Sequence, residues 1–286
     1  MRLDKGRPSR VPVVSGVFQG PNKPPAIINS QAMLASGINR RERFSMIDRD
    51  IDIQTADGAM NTFVTHPEEG GPHPVVMFLM DAPGKREELH DMARRLGTAG
   101  YYVMLPNLYY RRVREFTITP DNRETMFEHM RSLSIDMVCS DMQAMFDFAA
   151  EEAAAADGKA GCVGYCMSGP FAFSAAARFA DRMAASASIH GVRLFSDAAD
   201  SPHREAHNIQ GEMYFGCAET DEYAPQKMID DLEAFLEGID INARIEWYPG
   251  TEHGWVFPDR GAKYHKAAAE RHWERLLAMF GRCLQP

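Results

Sequence analysis

Ten residues, Gly161-Cys-Val-Gly-Tyr-Cys-Met-Ser-Gly-Pro170, constrain this chain more than any other segment. They predict a buried β-strand that runs into a sharp turn and then a helix, with Cys166 at the apex of the turn. Gly164 and Ser168 flank the cysteine at two residues on either side, which lets the backbone fold back tightly around it. A strand feeding a helix in this way belongs in a parallel sheet, where ligand sites form beyond the carboxyl ends of the strands.

The rest of the chain alternates in the same manner. Residues 51–55 and 61–65 flank Asp57-Gly58, a hairpin signal. Residues 74–80 form a continuous apolar run, expected of a strand buried on both faces. Further strands are expected at 101–105, 160–165, 184–189, 211–215 and 243–247. Helices are expected at 87–99, 134–155, 167–179, 225–237 and 263–280. The last places Trp273, Leu276, Leu277 and Phe280 on one stripe. The pattern predicts an α/β fold with a mostly parallel central sheet and helices on both faces.

Residues 1–45 break this regularity. They are rich in Pro, Gly, Asn and Arg, without periodicity, and predict an irregular arm ahead of a single domain spanning 46–286. Eight Lys/Arg stand against two Asp/Glu there, so the arm carries +6, and the remainder −15 of the overall −9. An acidic body repels a polyanion, which argues against nucleic acid as a partner. The basic arm suits docking on an acidic surface, its own or that of a second copy in a homodimer. No run reaches the ~20 apolar residues of a membrane span, and the N-terminus lacks the apolar core of a signal peptide. Five cysteines without a C-x-x-C pair argue against a disulfide framework and for a reducing, cytoplasmic setting.

Two other segments follow predicted strands: Thr220-Asp221-Glu222-Tyr223-Ala224-Pro225 and Tyr248-Pro-Gly-Thr-Glu-His253-Gly-Trp255. Cys166, Asp221 and His253 therefore converge on one sheet edge, in the chain order nucleophile, acid, base. A helix start and an imidazole near Cys166 favour its thiolate. Cys139, Cys162, Cys217 and Cys283 lack such a turn. No histidine pair sits beside a carboxylate in the manner of a zinc site, so no metal is expected.

These segments resemble the dienelactone hydrolase family of α/β-hydrolases over roughly residues 50–281. The carriers are G-Y-C-x-[GS]-G at 164–169, D-x-x-x-P at 221–225, Y-P-x-x-x-H-G-[FW] at 248–255, and Pro106-Asn-Leu-Tyr-Tyr-Arg111. The resemblance implies a cysteine hydrolase of a small-molecule lactone or ester that needs no cofactor. Cys166 would attack the carbonyl, His253 would activate it and then water, and Asp221 would orient His253. The amides of Met167 and Ala82 would form the oxyanion hole. Three departures stand out. Asp81 takes the place of a glutamate that contacts the resting thiol, and Ser168 replaces a glycine. Of two carboxylate-binding arginines, Arg111 matches the first, whereas Phe257 occupies the second position, with Arg260 three residues on. Tyr109, Tyr110, Trp255 and Phe257 suggest an aromatic pocket for a bulkier or less charged ester. The alternatives are a general carboxylesterase or thioesterase, or a non-catalytic ligand-binding member.

Overall fold

The computed structural model describes residues 45–284. The expected arm lies outside the described residues except for Ser45, and so does the dimer contact assigned to it.

Eight strands form one sheet: β1 (Met46–Thr55), β2 (Gly58–Pro67), β3 (Val75–Leu79), β4 (Tyr102–Pro106), β5 (Ala160–Tyr165), β6 (Met183–Ile189), β7 (Glu212–Thr220) and β8 (Ala243–Glu252). Their order is β1-β2-β4-β3-β5-β6-β7-β8. β1, β2 and β4 pair antiparallel, and every pairing from β4 across to β8 is parallel. β3 and β5 are buried along their whole length, as their apolar composition requires.

Six helices pack on this sheet: α1 (Glu87–Thr98), α2 (Arg123–Arg131), α3 (Ile135–Ala150), α4 (Gly169–Arg178), α5 (Gln226–Glu237) and α6 (Lys266–Leu284). α1 and α6 are joined by Arg95 on Glu270. α4 and α5 share a cluster with β7, in which Phe173, Phe215, Ile229 and Leu232 are buried. On α6 the expected stripe is realised: Trp273, Leu276 and Phe280 are buried, each contributing roughly 1.5–3 kcal/mol. None of the helices is long and apolar enough to cross a membrane.

The differences from expectation have local causes. α3 ends at Ala150 rather than continuing to 155, because its last turns are capped there and Ala155 instead bridges His73. α2 was not expected. It is short, its apolar face is narrow, with Met126 buried, and its start is set by the Thr119–Asn122 turn rather than by periodicity. β7 and β8 each run several residues further, bringing Thr220 opposite Glu252.

The topology places the site. From β3 the chain crosses to β4 on one side, and from β5 to β6 on the other. The crevice between the carboxyl ends of β3 and β5 is thus the point where the winding reverses.

Arg111 and Tyr110, expected to meet substrate, are tied into the structure by carboxylates. Arg111 donates to both oxygens of Asp141 on α3, at 2.8 and 2.7 Å, and to Asp57 at 2.7 Å. Tyr110 donates to the same Asp141 at 2.8 Å and lies under the Arg111 guanidinium. Asp141 is fully buried, so its charge needs these donors. Arg111→Ala should therefore lower stability by about 3 kcal/mol in urea titrations. Adding Asp141→Asn should recover part of that loss by removing the stranded charge. A near-neutral Arg111→Ala would contradict this role.

Candidate active site

The site begins with a backbone conformation. Cys166 has φ 53°, in the left-handed region that side chains disfavour. The chain turns here because Gly164 carries no Cβ. A Cβ at that position would lie 2.1 Å from the Ser168 carbonyl oxygen. A single 3₁₀ turn, Cys166–Ser168, follows, and α4 opens at Gly169 with Pro170 in its first turn. The Cys166 carbonyl accepts from the Val192 amide at 3.2 Å. Ser168, the departure noted in the sequence, donates its hydroxyl to the Met80 carbonyl at 2.5 Å. That bond ties the turn to the segment after β3, where Ala82 stands. Tyr109 braces the same place: its hydroxyl lies 2.8 Å from the Ala82 carbonyl and 3.2 Å from Met167 Sδ.

Thr220 and Glu252 are paired across β7 and β8, so the next residue on each strand, Asp221 and His253, emerges at the same edge. Asp221 Oδ1 accepts from the Tyr223 and Ala224 amides at 2.9 and 3.0 Å. Its Oδ2 lies 2.7 Å from His253 Nδ1. His253 Nε2 lies 3.1 Å from Cys166 Sγ. The three side chains form one hydrogen-bonded chain, and the carboxylate is almost wholly buried. Burial disfavours the His253 cation, but its hydrogen bonds to Asp221 and Cys166 and their charges outweigh this and raise its pKa to about 9.

Two further residues enclose His253. The Tyr223 ring lies edge-on to it at 4.9 Å and is the one exposed large hydrophobic residue among those described. His190 lies on another side, ring centroids 4.7 Å apart. It follows β6, has φ 39° and is buried, and neither ring nitrogen has a hydrogen-bond partner. Burial, aided by the His253 charge, pushes its pKa well below the ordinary value, so it is neutral.

Asp81 does not hydrogen-bond the thiol. It is fully buried and paired with Arg86 and with Arg260 Nη2, the latter at 3.0 Å. Its carboxylate is turned to these two guanidiniums instead. Phe257 is buried beneath the same two arginines, 5.2 and 5.7 Å from its ring centre, and Trp255 is buried against Tyr248. Tyr109 is buried as well. Three of the four aromatic residues expected to line a pocket are thus buried. Arg86, His190 and Tyr223 were not singled out in the sequence. His190 had a signal, its position directly after a strand that ends at the same edge; Arg86 and Tyr223 had none.

The raised pKa of His253 has a consequence for stability. The unfolded chain binds this proton with a pKa near 6.5 and the folded chain near 9. The stabilisation is therefore complete below about pH 6.5 and lost as pH rises through 9. The difference in melting temperature between wild type and His253→Gln should shrink between pH 6 and pH 9.5. A difference independent of pH would contradict the assigned proton.

Known proteins share this fold. The model of the family described as "Dienelactone hydrolase family" matches residues 60–284. A putative carboxymethylenebutenolidase from Synechocystis is 26% identical over 225 residues, covering 76% of this chain and 89% of that one. The carboxymethylenebutenolidase of Pseudomonas putida is 24% identical, covering 81% and 95%. The crystal structure of a putative dienelactone hydrolase from Klebsiella pneumoniae superposes with a TM-score of 0.73 at 23% identity, covering 83% of this chain and 99% of that one. With an α/β-hydrolase sheet and a family match spanning most of its length, this chain belongs to the dienelactone hydrolase family of ester and lactone hydrolases.

Proposed function

We propose that this protein hydrolyses a neutral or aromatic carboxylic ester or lactone through an acyl-enzyme on Cys166. The observation that carries this reading is the unbroken chain from Cys166 Sγ through the His253 ring to Asp221. An imidazole held in one tautomer by a buried carboxylate can take the thiol proton and return it.

In the first half-reaction Sγ, its proton passed to His253 Nε2, bonds to the substrate carbonyl carbon. The carbonyl oxygen becomes an oxyanion facing the amides of Ala82 and Met167. Collapse of that intermediate breaks the acyl C–O bond, and His253 gives its proton to the departing oxygen. In a lactone the alcohol stays tethered to the acyl group. In the second half-reaction His253 takes a proton from water, whose oxygen attacks the thioester. The C–S bond breaks, the acid leaves, and the thiol is regenerated. Atoms balance as ester plus water to acid plus alcohol, and no cofactor enters.

The preference for uncharged substrates rests on the arginines. Arg111 is occupied by Asp141 and Asp57, and Arg260 by Asp81. Arg86 is occupied by Asp81 and by Glu88 at 2.5 Å. The Pseudomonas putida relative is named for a lactone with a carboxymethylene group. Such an anion would meet carboxylates already in place on these guanidiniums, and losing one charge-assisted contact costs about 1.5–3 kcal/mol. Neutral aryl esters and uncharged lactones should therefore exceed the anionic dienelactone in kcat/KM by roughly ten-fold or more. A panel of dienelactone, aryl esters, simple lactones and thioesters decides this; dienelactone as best substrate overturns the preference while leaving the mechanism intact.

The mechanism has its own test. Cys166→Ala should abolish turnover, His253→Ala should nearly do so, and Asp221→Asn should retain more, since it disturbs orientation rather than the nucleophile. Normal turnover by folded Cys166→Ala would sink the reading. Limiting iodoacetamide should label Cys166 first. Burial pushes the Cys139 thiol up to about 11 and Cys217 to about 12, and raises Cys162 and Cys283 as well. Uniform labelling of all five would contradict a privileged thiol.

A further inference from the structure

His190 is a buried imidazole with nothing to bond. Both ring nitrogens are shielded from solvent and unpartnered, which normally costs about 1–3 kcal/mol. It is nevertheless placed so that a ring nitrogen of His190, a ring nitrogen of His253 and Sγ of Cys166 all lie within 4.8 Å of one another, with Nε2 of His253 the nitrogen that faces Sγ. A thiol and two imidazoles are donors of intermediate softness, the set that selects Zn²⁺ over Mg²⁺ or Ca²⁺.

We propose that Cys166, His190 and His253 constitute a three-ligand site for Zn²⁺ and like cations, whose occupation caps the thiol and reversibly switches the enzyme off. The inhibitory part rests on Cys166 being the nucleophile; the binding part does not.

The geometry is near what such a site needs. Zinc bonds of ~2.3 Å to sulfur and ~2.0–2.1 Å to nitrogen put tetrahedral donors roughly 3.4–3.7 Å apart. Sγ and Nε2 of His253 are now 3.1 Å apart, a hydrogen-bond separation that opens slightly when a metal replaces the proton. The His190 ring moves in by about 1 Å to complete the set, on the same estimate. It surrenders no hydrogen bond to another residue in doing so. Asp221 on Nδ1 directs Nε2 of His253 at the metal, the carboxylate–histidine–metal relation that raises ligand basicity. Binding displaces the proton shared by Cys166 and His253. Cys166 and His253 are partly exposed and give the ion its entry, with a water or substrate oxygen left for the fourth position.

Full-length protein freed of metal with a chelator is titrated with Zn²⁺ against a chromophoric competitor, and separately with Co²⁺ as a spectroscopic probe. Wild type should bind one equivalent of Zn²⁺, unaffected by millimolar Mg²⁺, and lose ester hydrolysis in step until EDTA restores it. The Co²⁺ form should show the intense visible bands of a tetrahedral ion and a thiolate charge-transfer band that Cys166→Ala removes. His190→Asn, which tolerates the positive φ, and His190→Phe, which keeps the ring volume, should each weaken Zn²⁺ by roughly ten-fold or more. Unchanged affinity in either folded His190 variant means a thiol–imidazole pair alone binds the ion and overturns the three-ligand site, as does absence of stoichiometric binding to wild type. Turnover by Cys166→Ala would instead defeat the nucleophile reading, with one-equivalent binding to wild type still intact.

Discussion

Everything at the site depends on the close approach of Gly164 to the Ser168 carbonyl. A 2.1 Å separation from a hypothetical Cβ excludes every residue but glycine there. The hairpin-like reversal it permits holds Cys166 at positive φ, a conformation that costs of order 1–3 kcal/mol and persists only where its surroundings over-determine it. Those surroundings are identifiable. Val192 binds the Cys166 carbonyl, Ser168 binds Met80, and Tyr109 bears on both Ala82 and Met167. The strain thus presents the thiol beyond the sheet edge while the same contacts tie the turn to the segment after β3. The serine that departs from the family pattern is one of these ties.

The electrostatics follow a second rule: the buried charges behind the site are paired with one another. Arg86, Arg260 and Asp81 neutralise one another over the Phe257 ring, and Asp221 is satisfied by two amides and His253. Burial keeps His190 neutral beside a His253 that favours its cation. Two histidines with ring centres 4.7 Å apart cannot both be charged cheaply in this setting, and their environments drive their protonation apart. Of the two rings, His253 is therefore the one that takes up a proton.

The parts legible in the sequence are those written in local pattern. Uniform burial made β3 and β5 continuous apolar runs, and the Gly164–Ser168 spacing exposed the turn. The convergence of Cys166, Asp221 and His253 followed from strand ends alone. The illegible parts depend on which charges meet across distant segments. Arg111 matches a family motif, but its role is set by Asp141, 30 residues on, on α3. Asp81 aligns with a thiol-contacting position, but Arg86 and Arg260 claim it from two directions, 5 and 179 residues away. Tyr109, Trp255 and Phe257 were read as pocket wall because aromatic residues near a motif can face either way, and burial decides which.

Charge selectivity in this scaffold can then be traced to carboxylates behind the arginines rather than to the arginines themselves. A guanidinium at the mouth of a hydrolase site is available to an anionic substrate only if no protein carboxylate satisfies it first. Asp141 and Asp57 do so for Arg111, and Asp81 for Arg260. Freeing them is not a surface change, since Asp141 and Asp81 are fully buried and hold α3 and the segment after β3 in place. Removing a buried partner costs about as much stability as a substrate contact would return in binding. On the proposed preference for uncharged substrates, a shift in substrate charge would have to begin in the core behind the site.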